Sequence, residues 1–207
     1  MASAAPASPL RVSARRPICQ KMRMASPSSP ESPPRERPTA RVLLLDPQGR
    51  ILLMRAHPPS DPEGPSFWFT VGGGVEPGES LREAAAREVV EETGLIDAEI
   101  GPRVWYSEAI LHDEEKRPMK LIEHFFVAYT KGGGLSRRGW QAMEHRLVEE
   151  LRWWTLQQLS LTEVKVYPEG LAELLVDVLA GRFAPEPLVI RTLQGPVFPL
   201  PKVEISL

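Results

Sequence analysis

Three glutamates within five residues, Glu88, Glu91 and Glu92, are the residues of this chain best placed to do chemistry. The segment around them, Leu81 to Thr93, reads as a helix. Ser80 and Glu83 form a capping box before it and Gly94 ends it. At about 100° per residue, with Glu88 as zero, Glu91 falls near −60° and Glu92 near +40°. The three carboxylates therefore share one arc. Ala86, Val89, Val90 and Thr93 fall between about 100° and 200°, the spacing of a packed stripe. Like charges so close repel and weaken a helix. A bound cation offsets that cost. Carboxylate oxygens without His or Cys are hard ligands, suited to Mg²⁺ or Mn²⁺, and Mg²⁺ takes phosphate oxygens as further ligands. The ordinary alternative is a solvated acidic face, with Arg87 pairing to Glu83 or Glu91.

The loop ahead of the helix points the same way. Gly72-Gly73-Gly74 lets the backbone come close to a metal or a phosphate and leaves carbonyls free as ligands. Pro77-Gly78 is a tight turn that returns the chain into the helix.

The elements that must position these groups follow from hydrophobic period and turn chemistry. Arg41–Leu45 and Arg50–Arg55 are short β-type runs joined by Asp46-Pro47-Gln48-Gly49. Phe67–Val71 is a third run, expected to break at the glycines. Strand-like runs follow at 99–106, 108–111 and 121–130. Gln141–Glu150 can be helical, Leu151–Trp154 is a short strand, Thr155 can cap a turn, and Pro168–Ala180 reads as a second sizeable helix. This mixture predicts one α/β domain.

The flanks differ from that domain. The chain has 207 residues and 22 prolines, and residues 1–38 hold eight of them. That leader is Ser- and Arg-rich and carries a net charge of +5, with no helical or strand period. It reads as a disordered extension, with Met22 or Met24 as a further candidate start. An organelle transit peptide and a basic nucleic-acid arm are the functional alternatives. From Phe183 the chain is again Pro-rich and is expected to lie over the surface. The domain proper is thus set at 39–182, with a tail at 183–207. The overall charge of −2 conceals −7 on residues 39–207. Such a balance gives no footprint for non-specific nucleic-acid binding. The single cysteine, Cys19, excludes a disulfide framework and a Cys-rich zinc site. No stretch has the length and apolarity of a membrane span.

The spacing in Gly73–Leu95 identifies a family resemblance. Gly73, five residues, Glu79, seven residues, then Arg87-Glu88-Val89-Val90-Glu91-Glu92-Thr93-Gly94-Leu95 is similar to the Nudix box at every fixed position. The resemblance runs more loosely from Arg41 to Ala180, through the WFTVGGG entry, the EHFFVAY strand and the WWT segment. Val71 stands where relatives often have Pro. The resemblance implies an α/β/α sandwich with a mixed sheet. It implies divalent-metal hydrolysis of a nucleoside diphosphate linked to another moiety. Glu88 and Glu92 would be the principal metal ligands, with Glu91 a further one and the Gly73 carbonyl completing the shell. Arg87 would orient a box glutamate, and Glu79 would hydrogen-bond near the site.

The general base of relatives lies in the box or on a later carboxylate. Candidates here are Glu123, Glu144 and Glu149, of which Glu144 is preferred because its segment can fold over the box. For the substrate, Trp68 and Phe69 are candidates to stack a base. Phe67, Trp105, Trp153 and Trp154 belong to the same aromatic set, with core packing the alternative for each. Arg55 and Arg41 can bind phosphate, with surface pairing the alternative. The competing reading is a non-catalytic nucleotide-binding module, although every box glutamate is kept. An isopentenyl diphosphate isomerase is set aside because the only cysteine is in the leader. A decapping enzyme is set aside on charge. The expected partner is a small nucleotide or nucleotide derivative, without nucleic acid or membrane. The expected location is cytoplasmic. Monomer and homodimer stay open, as does the identity of the substrate.

Overall fold

The computed structural model describes residues 33–59, 61–112 and 117–191. The leader up to residue 32, with Cys19, and the chain beyond Arg191 lie outside the described residues, and the readings made there lie outside them too. The elements in chain order are β1 (Arg35–Leu45), β2 (Ile51–Ala56), β3 (Phe67–Gly74), α1 (Leu81–Thr93), β4 (Glu99–His112), β5 (Pro118–Tyr129), α2 (Ala142–Leu147), β6 (Val148–Trp154), α3 (Leu156–Leu161), β7 (Val166–Tyr167), α4 (Leu171–Leu179) and β8 (Leu188–Val189).

The strands form one mixed sheet in the order β6-β2-β3-β1-β5-β4-β8, with β7 paired to β3. β1–β5, β3–β7 and β4–β8 are parallel and the other pairs antiparallel. Strand alternation sorts the side chains onto two faces. Val42, Leu44, Leu52, Met54, Phe69 and Phe126 pack beneath α1 through Ala84, Ala85 and Val89. Leu43, Leu45, Ile51, Leu53, Phe125 and Val127 pack against α3 and α4 through Leu159, Leu171, Leu175 and Val178. Two cores on opposite sheet faces make the expected α/β/α sandwich.

Several boundaries differ from the sequence reading. β1 begins at Arg35, because Arg35–Pro38 pair with Met119–Ile122 of β5. Four residues assigned to the leader are therefore strand, and cutting at residue 38 would remove part of β1. β3 does not break at the glycines: Gly72, Gly73 and Gly74 pair with Arg41, Ala40 and Thr39. Backbone pairing continues there although no side chain fills the space. The runs at 99–106 and 108–111 are one strand, whose pairing with β5 shifts register between Ile100 and Trp105. The helix expected over Gln141–Glu150 ends at Leu147, where the chain turns into β6. The tail also corrects: Leu188–Val189 add to β4 beside Trp105 and Tyr106, and Ile190 is buried in the second core. The Ile190 N–H donates to the Tyr106 carbonyl at 2.8 Å, so this part of the tail belongs to the sheet.

Candidate active site

Helix α1 forms where its capping sequence places it. Ser80 accepts from the Glu83 N–H, the Glu83 carboxylate takes the Ser80 N–H, and Gly94 closes the helix in the left-handed conformation at φ 75°. What the helix buries differs from the wheel. Ala84, Ala85, Glu88, Val89, Glu92 and Thr93 are buried, whereas Val90 and Ala86 are exposed. Two of the three carboxylates therefore lie in the packed seam, not on the outer face. Glu88 is only 8% exposed and Glu92 only 5%.

The glycines of β3 receive them, Gly73 by its missing side chain and Gly72 by its N–H. A Cβ on Gly73 would lie 2.4 Å from Glu88 Oε1. The Gly72 N–H donates to Glu92 Oε2 at 2.7 Å. We expect Gly73→Ala to displace the Glu88 carboxylate, to destabilise the fold by about 1–3 kcal/mol and to lower activity at least tenfold. A thermal melt beside a turnover assay tests this; a variant matching wild type in both would contradict the packing described.

Arg87 organises the acids. Its Nε and Nη2 both reach Glu79, at 3.2 and 2.8 Å. Its Nη1 donates to Glu88 Oε1 and to Glu91 Oε2, each at 2.9 Å, and Nη2 donates to the Gly74 carbonyl at 2.9 Å. All five guanidinium N–H groups are thus engaged. The alternative pairing with Glu83 is not used; Glu83 faces the capping box.

This arrangement sets the titration of the acids. Arg87 holds Glu79 below the ordinary carboxylate range. Burial pushes Glu88 up to about 7, against the pull of Arg87. Burial, reinforced by the charge of Glu88, pushes Glu92 well above its ordinary value. A seam that holds carboxylates against their ionisation is short of positive charge. That suits a hard divalent ion, and all the donors are oxygens. Among the described residues no three acidic or histidine groups converge as a closed cage, and Arg87 takes an oxygen of both Glu88 and Glu91.

Glu144 arrives from 52 positions further along than Glu92. The loop ahead of α2 closes the carboxyl end of α1: Ser136 N–H donates to the Thr93 carbonyl at 2.8 Å, and Trp140 Nε1 to the Glu92 carbonyl at 2.7 Å. Gly139 lets the two backbones touch, since a Cβ there would lie 2.4 Å from the Glu91 oxygen. Glu144 takes the Gln141 N–H at 2.6 Å. It is close enough for its charge to act on Glu92 and for Glu91 to act on it, and burial pushes it above its ordinary value. Trp140 and Gly139 were not singled out from sequence; their partners are main-chain atoms, which leave no spacing signal.

The other candidates fall elsewhere. Glu149 is ion-paired with Arg55 at 3.1 Å and with His57 at 2.7 Å, while the Arg55 Nε–H donates to Ser66. That cluster is engaged within itself. Trp68 and Phe69 do not line an open surface, because adjacent strand residues point to opposite faces. Phe69 is in the core under α1, and Trp68 is in the other core, edge-on to Trp154 at 5.0 Å. Phe67, Trp105 and Trp154 are likewise buried, and Trp153 is partly so. Glu123 is buried on β5, held by Arg41 at 3.1 Å and by Ser107 at 3.0 Å.

Known proteins share this architecture. The NUDIX domain model matches residues 35–175. An RNA pyrophosphohydrolase of Caulobacter vibrioides is 30% identical over 169 residues, which cover 78% of this chain and 95% of that protein. A putative 8-oxo-dGTP diphosphatase of Bacillus subtilis is 34% identical over 95 residues, covering 44% of this chain and 52% of that protein. Among solved structures, a MutT protein from Methanosarcina mazei superposes with a TM-score of 0.51 at 23% identity, over 72% of this chain and 95% of that one. The match begins where β1 begins and spans the box helix, the glycine strand beneath it and the loop that closes over it: the chain belongs to the NUDIX family and is a Nudix hydrolase.

Proposed function

We propose that this enzyme is a divalent-metal-dependent pyrophosphohydrolase that cleaves the pyrophosphate link of a nucleoside diphosphate joined to another moiety. The observation that carries the reading is the pair of buried glutamates, Glu88 and Glu92, seated on the bare backbone of Gly72 and Gly73. Glu88, Glu92, Glu91 and the Gly73 carbonyl would hold Mg²⁺ or Mn²⁺. Such an ion neutralises phosphate charge and lowers the pKa of an attacking water.

The chain's own groups do the remaining work. Arg87, anchored by both oxygens of Glu79, fixes one oxygen each of Glu88 and Glu91 and turns the others away from itself. Glu144, half buried and raised in pKa beside Glu91 and Glu92, is the group proposed to take the proton of the attacking water. Water oxygen bonds to phosphorus as the bridging P–O bond breaks and the leaving phosphate departs. Arg55, Trp68 and Phe69 have no part in this scheme.

The Caulobacter relative's name raises RNA carrying a 5′ polyphosphate as a second substrate class. The charge of −7 on residues 39–207 favours a small nucleotide instead. A cytoplasmic setting belongs to the proposal; among the described residues no helix is long and apolar enough to cross a membrane. The test is incubation with Mg²⁺ and a panel of nucleoside diphosphate derivatives, dinucleoside polyphosphates, nucleoside triphosphates and a 5′-triphosphorylated oligonucleotide. We expect turnover of a small nucleotide with both phosphate products accounted for. Preference for the oligonucleotide would transfer the assignment to RNA. No turnover anywhere, with nucleotide binding retained, would leave a binding module.

A further inference from the structure

Five elements are joined by one hydrogen-bonded chain that ends at Glu92. Ser107 Oγ on β4 donates to Glu123 Oε2 on β5 at 3.0 Å. Arg41 Nε on β1 donates to Glu123 Oε1 at 3.1 Å, and Arg41 Nη1 donates to the Gly72 carbonyl on β3 at 2.7 Å. The Gly72 N–H in turn donates to Glu92 Oε2 on α1 at 2.7 Å. Ser107, Glu123 and Glu92 are buried.

We propose that Arg41, aimed by Glu123 and Ser107, is a positioning residue that fixes the glycine run of β3 and through it the metal-facing oxygens of Glu92 and Gly73; this rests on the metal reading above. Three consecutive glycines have more backbone freedom than any other tripeptide. Gly72 uses that freedom, with φ at 126°. Left to itself such a run would sample many orientations of its peptide planes. Here two arginines hold it. Arg41 takes the Gly72 carbonyl and Arg87 takes the Gly74 carbonyl, one on each side of Gly73. The carbonyl between them is the one proposed as a ligand. Arg41 and Glu123 stand at positions of β1 and β5 that alternate with those packed beneath α1, and the Arg41 charge is near enough to act on Glu88 and Glu92 as well. Buried ion pairs can often be replaced by apolar side chains without loss of stability. The role argued for this one is placement of the glycines.

The test is a Mn²⁺ titration of the full chain by electron paramagnetic resonance, with the amide resonance of Gly72 followed in the metal-free protein. The double variant Arg41→Met/Glu123→Leu removes both charges together and leaves neither orphaned. We expect it to fold, to bind Mn²⁺ at least about tenfold more weakly, to lose kcat more than KM, and to shift the Gly72 amide. Mn²⁺ affinity within about twofold of wild type, with an unmoved Gly72 amide, would overturn the inference. If the double variant does not fold, Arg41→Lys serves: its ammonium cannot span both acceptors in the planar fork. Intermediate Mn²⁺ affinity with a shifted Gly72 amide is then expected, and wild-type behaviour in both overturns the inference. Glu92→Gln runs in the same titration. Wild-type Mn²⁺ binding by Glu92→Gln would sink the metal reading itself. Weakened binding there beside wild-type binding by the Arg41 variants would sink the positioning role alone.

Discussion

Glu92→Gln is expected to lower kcat/KM on the order of 10³-fold or more, while making the metal-free protein more stable above neutral pH. The two halves have one cause. Glu92 is 5% exposed and accepts one backbone N–H, from Gly72. Glutamine keeps that acceptor and the side-chain volume but removes a buried charge. Burial and the neighbouring charge of Glu88 raise the acid's pKa well above its ordinary value. A carboxyl whose folded pKa is raised contributes stability that is fully present below its ordinary value and is lost as pH rises through the folded one. Glu88, raised to about 7, behaves in the same way. Metal-free wild type should therefore lose stability between about pH 4.5 and 7 and beyond. The variant should lose less. His57, raised by Glu149, contributes the same sign at the surface, but it is common to both proteins and cancels in the comparison. Glu79 and Glu149 have lowered values and act only at acid pH, below this window. Melting curves of both proteins without metal at pH 5, 6, 7 and 8 make the measurement. Parallel pH profiles would refute the buried-charge account; retained turnover would refute the site.

These acids also show what the sequence could and could not display. The helix ends, its capping box and its left-handed glycine are local, and local hydrogen bonding determines them. The family spacing marks Glu79, Arg87, Glu88, Glu91 and Glu92 as a group, and the fold does gather them. The wheel misassigned the seam because it ranks a carboxylate as outward-facing and Val90 as inward-facing. In the fold, the bare Gly73 leaves space for the Glu88 carboxylate, and the Gly72 N–H holds Glu92. A helical period records side-chain type; it does not record an absent side chain on the facing strand. The same limit hid the continuation of β3 through Gly74. Long-range partners were less legible still. Glu144 could be shortlisted as a carboxylate on a segment able to fold over the box, but Trp140 and Gly139, which dock that segment, meet main-chain atoms of α1. Proline content set the domain boundary at residue 39, whereas Arg35–Pro38 form strand because β5 offers a parallel edge. Trp68 and Phe69 are candidates for stacking on their aromatic surface alone; alternation along β3 buries one in each core.

Arg87→Met is expected to cost about 3–5 kcal/mol of stability at neutral pH and to abolish measurable turnover. No other side chain of the site has as many partners. Removing it leaves Glu79 without its two-pronged donor, Glu88 and Glu91 without a common one, and the Gly74 carbonyl unbound. Arg87→Lys tests geometry apart from charge. An ammonium has three donors and no plane, so it cannot serve three carboxylates and a carbonyl together. It should recover part of the stability and little of the turnover. The double variant Arg87→Met/Glu79→Gln supplies the sharper arm. Glu79 is the acid that Arg87 grips at two atoms, and neutralising it removes one of the orphaned charges. The double variant should therefore be less destabilised than the two single changes added together, by about 1–3 kcal/mol. Acid should help as well. At pH 5 Glu88 is already protonated in the folded protein, because its value lies near 7, so the penalty of Arg87→Met should shrink there relative to pH 8. Denaturant unfolding of five proteins (wild type, Arg87→Met, Arg87→Lys, Glu79→Gln and the double variant) at both pH values reads every arm. Strict additivity with a pH-independent penalty would mean that Arg87 acts by packing its stem, and the electrostatic cradle assigned to it would have to be abandoned.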